Sequence, residues 1–190
     1  MPVPYGNNME KYNRFPKKQG LYDPQFEHDS CGVGFICNVK GKKSNAIIKQ
    51  GLEVLRRLSH RGATGADPET GDGAGILIQI PHEFFKKVCK SAKIDLPNAG
   101  DYGTGIVFLP TDSGERKFCK DAFSKVTQEN GQALLGWRAI PVDSSSIGKT
   151  ARDTQPVIEQ VLIAKAKDTK PGIDFERKLY VIRKQIENSI

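Results

Sequence analysis

The chain has 190 residues, 37% of them hydrophobic and 27% charged, with a formal net charge of +7. This composition suits one soluble domain or slightly more and excludes a wholly disordered chain. It also excludes a helical membrane protein, because no apolar run approaches the ~18 residues that a spanning helix needs.

Residues 1–30 read as an extension without a core. They carry Pro2, Pro4, Pro16 and Pro24, and coil signals at Gly6-Asn7-Asn8 and Asp23-Pro24. They lack the apolar core of a secretory signal, and their acidic residues argue against a transit peptide. Cys31, Cys37, Cys89 and Cys119 form no C-x-x-C pair, and His28, His60 and His82 are scattered. Neither a zinc site nor a disulfide framework is expected, and the protein reads as reduced and cytoplasmic.

Apolar patterning starts abruptly after Ser30. CGVGFICNV (31–39) alternates as a strand does, and Lys40-Gly41-Lys42-Lys43 is a turn. Ser44 caps a helix running to about Leu58, with Ile47, Ile48, Leu52, Val54, Leu55 and Leu58 at helical spacing. Residues 31–60 also hold most of the charge excess, at Lys40, Lys42, Lys43, Lys49, Arg56 and Arg57. Phe35 is the only aromatic nearby, so the patch lacks the stacking platform of a nucleic-acid site. A solvated helix face is expected, with neither nucleic acid nor membrane as partner; a non-catalytic polyanion-binding module is the rival reading.

A glycine-rich stretch, HRGATGADPETGDGAG (60–75), comes next. Its length points to function, because long structureless loops in compact domains usually serve one. ILIQIP (76–81) follows as a buried-type strand stopped by Pro81. The chain then gives a helix bearing Phe84, Phe85, Val88, Cys89 and Ala92, and a strand at 105–110. A helix over 113–130 stops at Gly131, and 133–142 is a strand. A Ser-rich loop runs to Pro156, a strand covers 157–166, and Asp174 opens a last amphipathic helix. Strands alternating with helices give an α/β class. The chain stops in or just after that helix, as a piece of a longer polypeptide would.

Two nucleotide motifs fail on inspection. Gly148-Lys149-Thr150 supplies half of a Walker A loop, but Asp143 stands where its first glycine belongs. Gly71-Asp72-Gly73-Ala74-Gly75 starts a dinucleotide fingerprint, but Ile76 breaks it, and the loop precedes a strand instead of opening a helix.

Cys31 stands out among the four cysteines. It lies where the leader meets the first patterned strand, after the small Ser30 and before Gly32 and Gly34, which let another group approach closely. With the leader removed, Cys31 becomes the N-terminal residue. Its α-amino group (reference pKa ~7.7–8.0) then sits beside the thiol (~8.5) and can take its proton. No histidine is required.

EHDSCGVGF (27–35) and GLEVLRRLSHRGATGADPETGDGAGILIQIP (51–81) resemble the start of the glutamate synthase large subunit, a class II glutamine amidotransferase domain of the N-terminal nucleophile hydrolase fold. FERKLYVIRKQIE (175–187) is similar too, and the resemblance runs from about Gly20 to the end. It implies a four-layer αββα sandwich, of which residues 31–190 form an incomplete part, and a propeptide at 1–30. Cys31 would hydrolyse L-glutamine to glutamate and ammonia through a thioester. Arg61, in the family's H-R-G step, and Gly32 would support the site. A buried Arg61 capping the preceding helix is compatible with that role, and His60 reads as structural. Asp72 and Gly73 are candidate pocket-lining residues.

The complete enzyme by resemblance uses FMN and a 3Fe-4S iron–sulfur cluster, with NADPH and FAD through a small flavoprotein subunit, or ferredoxin. No cofactor is expected within residues 1–190, whose partner is the synthase domain of the same polypeptide. The family's R-[FY]-S-T-N-T and H-N-G-E segments do not occur here. The chain alone is therefore expected not to be a competent glutaminase, and to leave a core face uncovered. Another class II amidotransferase is the rival within the enzyme class.

Overall fold

The computed structural model describes residues 18–20, 32–58, 67 and 69–190. Nearly all of the leader, with Ser30, Cys31, His60 and Arg61, lies outside the described residues. The chain divides into two compact units, Met1–Gly62 and Ala63–Ile190.

In the first unit the described order centres on α1 (Asn45–Arg57). Its start and end agree with the apolar spacing. Ser44 occupies the N-cap with extended backbone, but its side chain makes no capping bond. The preceding turn is tied by Asn38, whose carbonyl accepts from Gly41 N–H at 2.8 Å and whose Oδ1 accepts from the Lys40 and Lys42 amides. The strand expected over 31–39 is absent from residues 32–38. Val33 and Phe35 are 86% and 88% exposed, while the Gly34 backbone lies against Val54 of α1. Alternation alone does not make a strand: the ladder needs a neighbouring backbone, and no such pairing occurs among the described residues.

The second unit is a three-stranded sheet with helices on both faces. Its elements are α2 (His82–Ser91), β1 (Tyr102–Leu109), α3 (Ser113–Glu129), β2 (Ala133–Ala139), α4 (Lys149–Asp153), β3 (Val157–Ala164) and α5 (Ile173–Glu187). The strand order is β1-β3-β2, and both pairings are antiparallel. β1 and β2 therefore run parallel to each other, with the last strand inserted between them. Tyr102 pairs with Ala164 and Leu109 with Val157, while the β2 register shifts between Leu134 and Gly136. This agrees with the α/β class.

Side-chain alternation on β3 sets the two cores. Leu162 faces α2 and joins Phe85, Cys89, Ile94 and Tyr102. Val161 and Ile163 face the other way and join Val126 of α3 with Ile182 and Ile186 of α5. α2 covers only part of its face. Ile106 and Phe108, which pair with Gln160 and Ile158 on that side, are 58% and 67% exposed. Part of this apolar face is thus open. The strand expected over 76–80 is unpaired, and Leu77 is fully exposed, although Ile80 packs against the α2 core.

α3 is bounded by its own chemistry. The Asp112 carboxylate accepts from the Gly114 and Glu115 amides, both at 2.8 Å. Gly131, at φ +71°, closes the other end: its N–H donates to Gln128 and that of Gln132 to Thr127. The cap bonds, from Glu115 first and then Gly114, lower the Asp112 pKa. A lowered folded pKa stabilises the helix above the ordinary carboxylate range, and that gain disappears as pH falls through the lowered value. Asp112→Ala is expected to speed amide exchange in the first turn of α3 severalfold at pH 7, and the difference from the parent should vanish in acid. Hydrogen exchange across a pH series checks this.

Candidate functional site

Of the sequence-predicted site residues, the described ones are Gly32 in the first unit and Asp72 and Gly73 in the second. Gly32 is half-buried, and Asp72 and Gly73 are exposed. Cys31 and Arg61 lie outside the described residues. The other cysteines are free thiols in different settings. Cys89 is fully buried on the inner face of α2, and burial pushes its thiol pKa up. Cys119 is buried on α3, while Cys37 is exposed. A nucleophile needs accessible thiolate, which the Cys89 environment opposes.

Beside Cys89 lies a polar cluster on the α2 face of the sheet. His82 Nδ1 is 3.2 Å from the Tyr102 hydroxyl. Arg138 donates from Nε and Nη2 to Gln160 Oε1 at 3.0 and 2.7 Å, and its guanidinium lies over the Phe84 ring. These contacts satisfy a half-covered polar seam and bring no nucleophile to an opening. A groove of about 680 Å³ between α3 and α5 is lined by Phe118, Asp121, Lys125, Glu129, Gln185 and Ser189 among others, without a cysteine. In the basic segment, Glu53 accepts from both Arg56 and Arg57, which lower its pKa.

The glycine-rich stretch is anchored at a point that sequence reading missed. Asp67 Oδ1 accepts from the Glu69 amide at 3.1 Å, and Oδ2 accepts from the Thr70 hydroxyl at 2.8 Å. Oδ2 also accepts from the Thr150 amide at 3.4 Å, and Gly148 N–H donates to the Glu69 carbonyl at 3.0 Å. The Gly-Lys-Thr run that resembled half a phosphate loop therefore faces a carboxylate of its own chain. These hydrogen bonds, from Thr70 first and then Glu69, lower the Asp67 pKa. The Asp-Pro-Glu-Thr sequence was the available signal, since Asp-Pro favours turn initiation.

Among the described residues, no group of three or more His, Cys, Asp or Glu could hold a metal ion. No helix of the described residues is long and apolar enough to cross a membrane. The class-II glutamine amidotransferase family model matches residues 31–190. The chain belongs to that family. It is similar to the glutamate synthase [NADPH] large chain of Bacillus subtilis, with 50% identity over 177 residues. It is also similar to the glutamate synthase [NADH] of Schizosaccharomyces pombe (41% over 180 residues) and to a ferredoxin-dependent glutamate synthase of Arabidopsis thaliana (37% over 175). These matches cover 93%, 92% and 92% of this chain but only 12%, 8% and 11% of the relatives. This amidotransferase chain thus spans a small part of the proteins it matches. Those three relatives are named for NADPH, NADH and ferredoxin respectively, while the matched region is shared.

Proposed function

We propose that the chain is the N-terminal part of the glutaminase domain of a glutamate synthase, and that Cys31 is its nucleophile once residues 1–30 are removed. The observation that carries this reading is that the family match begins at Cys31 and runs through residue 190. The freed α-amino group takes the thiol proton, and the thiolate attacks the side-chain amide carbon of L-glutamine. The protonated amine then gives its proton to the leaving ammonia, and water hydrolyses the thioester to glutamate. Arg61 and Gly32 support this centre, and Asp72 and Gly73 line its pocket.

By resemblance the three-stranded sheet belongs to an αββα sandwich, and the part of its α2 face that α2 leaves open, at Ile106 and Phe108, is apolar surface for a further layer to cover. Ammonia passes to a synthase domain of the same polypeptide and meets 2-oxoglutarate. By resemblance that domain carries FMN and an iron–sulfur cluster, fed by a flavoprotein subunit or ferredoxin, in the cytoplasm. The residues described here do not fit those groups: they offer no cluster-forming ligand set, and the Gly148 turn is turned toward Asp67, not toward a phosphate.

Intact-mass measurement and N-terminal sequencing of the protein expressed from the complete gene test this. A mature chain beginning at Cys31 is expected. A chain still beginning at Met1 or Pro2 leaves the Cys31 nitrogen acylated, without its base, and overturns the reading.

A further inference from the structure

Residues 143–155 form a polar loop that contributes nothing to either hydrophobic core. It is nevertheless internally braced. Asp143 Oδ1 accepts from the Ser145 amide at 2.9 Å, the Ser144 hydroxyl donates to Gln155 at 2.6 Å, and Arg152 donates to the Ile147 carbonyl at 2.8 Å. α4 within it is five residues long and has no buried residue. What the brace presents is the Gly148 turn. Gly148 itself is buried, and a methyl group at this position would overlap both the Asp67 carboxylate and the Thr70 hydroxyl. Only glycine admits so close an approach. The contact joins segments about 80 residues apart through two bonds donated by the turn: Thr150 N–H to Asp67, and Gly148 N–H to the Glu69 carbonyl.

We propose that Asp67 is a positioning residue for glutamine binding. Its carboxylate, seated on the Gly148 turn, holds the segment 69–75 that carries Asp72 and Gly73. The proposal rests on the glutaminase reading above and adds a part to it. The segment 71–79 is exposed throughout and, apart from a single bridge at Gly71, forms no regular structure; the Asp67 contact lies just ahead of it. Losing a charge-assisted anchor of this kind leaves the pocket-lining residues to be ordered by substrate at the expense of affinity, while the nucleophile and its base are untouched.

The test uses the complete polypeptide, with glutamine as the probe and glutamate release as the readout. Asp67→Ala is expected to raise KM for glutamine about tenfold with kcat within about twofold, and to speed amide exchange in residues 69–75. Asp67→Asn keeps the Oδ1 acceptor and should recover part of the loss. Gly148→Ala attacks the same contact from the other side and should reproduce the KM effect. Because both changes break one interaction, the double variant should be no worse than the worse single one. Faster loop exchange with an unchanged KM overturns the proposal, and so does full additivity of the two substitutions. Cys31→Ala separates the two ideas. If it still hydrolyses glutamine, the glutaminase reading falls and this proposal with it; if it is inactive while the Asp67 and Gly148 variants keep a normal KM, only this proposal falls.

Discussion

Cys31→Ala in the complete polypeptide is expected to abolish glutamine hydrolysis, by about 10⁴-fold or more, as loss of a covalent nucleophile generally does. The same substitution should leave residues 1–30 attached if the thiol also drives their removal. Two further chains separate the causes. One begins directly at Cys31 and should be active without any cleavage. The other keeps a single residue ahead of Cys31, which converts the α-amine into an amide, and should lose activity although the thiol is intact. Activity of the first chain should rise as pH passes ~7.7–8.0, where a free α-amine loses its proton and becomes a base. Glutamate release across pH 6–9 reads all three. Full activity in the chain with the blocked amine would remove the α-amine from the mechanism.

The second large effect belongs to the sheet. Leu162 is fully buried on the central strand, against Phe85, Cys89 and Tyr102. Leu162→Ala should cost about 2–5 kcal/mol, the range for truncating a packed leucine and leaving part of its volume empty. That is a large share of the ~5–15 kcal/mol that holds a typical domain folded. Leu162→Met keeps nearly the same volume and should cost under about 1.5 kcal/mol. Urea unfolding followed through Trp137, which packs on the opposite face of the same sheet, compares them. Equal midpoints for the alanine variant and the parent would mean that the α2 core is not what holds β3 in place.

How far the sequence revealed the molecule depends on how local each signal is. α3 was legible to within a residue at its C-terminal end because its apolar face lies within the element and its stop, Gly131, comes two residues after it. β1, β2 and β3 were legible because each is short, apolar and bounded by turn residues. The patterns at 31–39 and 76–80 look the same along the chain, yet those segments are unpaired: pairing depends on a backbone elsewhere, which alternation does not encode. α4 escaped notice because it is short and polar and owes its place to Asp67, 83 residues before Thr150. Cys31 stands out as a candidate for another reason: it sits at a change in the character of the chain, and the family match begins there. Asp67 had only a turn signature, which says nothing of the distant partner that makes it an anchor.

The strand order carries a consequence for how the molecule comes into being. Among the described residues, β1 and β2 do not pair with each other, and each finds its neighbouring strand in β3. The Thr104 hydroxyl donates to the Val161 carbonyl across 57 residues of chain. During synthesis both outer strands emerge first, with apolar faces and unsatisfied edges, and must wait for residues 157–164. α3, whose caps are local, can form in that interval and shield part of β2. Nucleation therefore falls to the last strand: the sheet closes in one late step around Val161, Leu162 and Ile163, and every contact it makes is long-range. Such a topology folds slowly for its size, and its most vulnerable moment is the wait for its own centre.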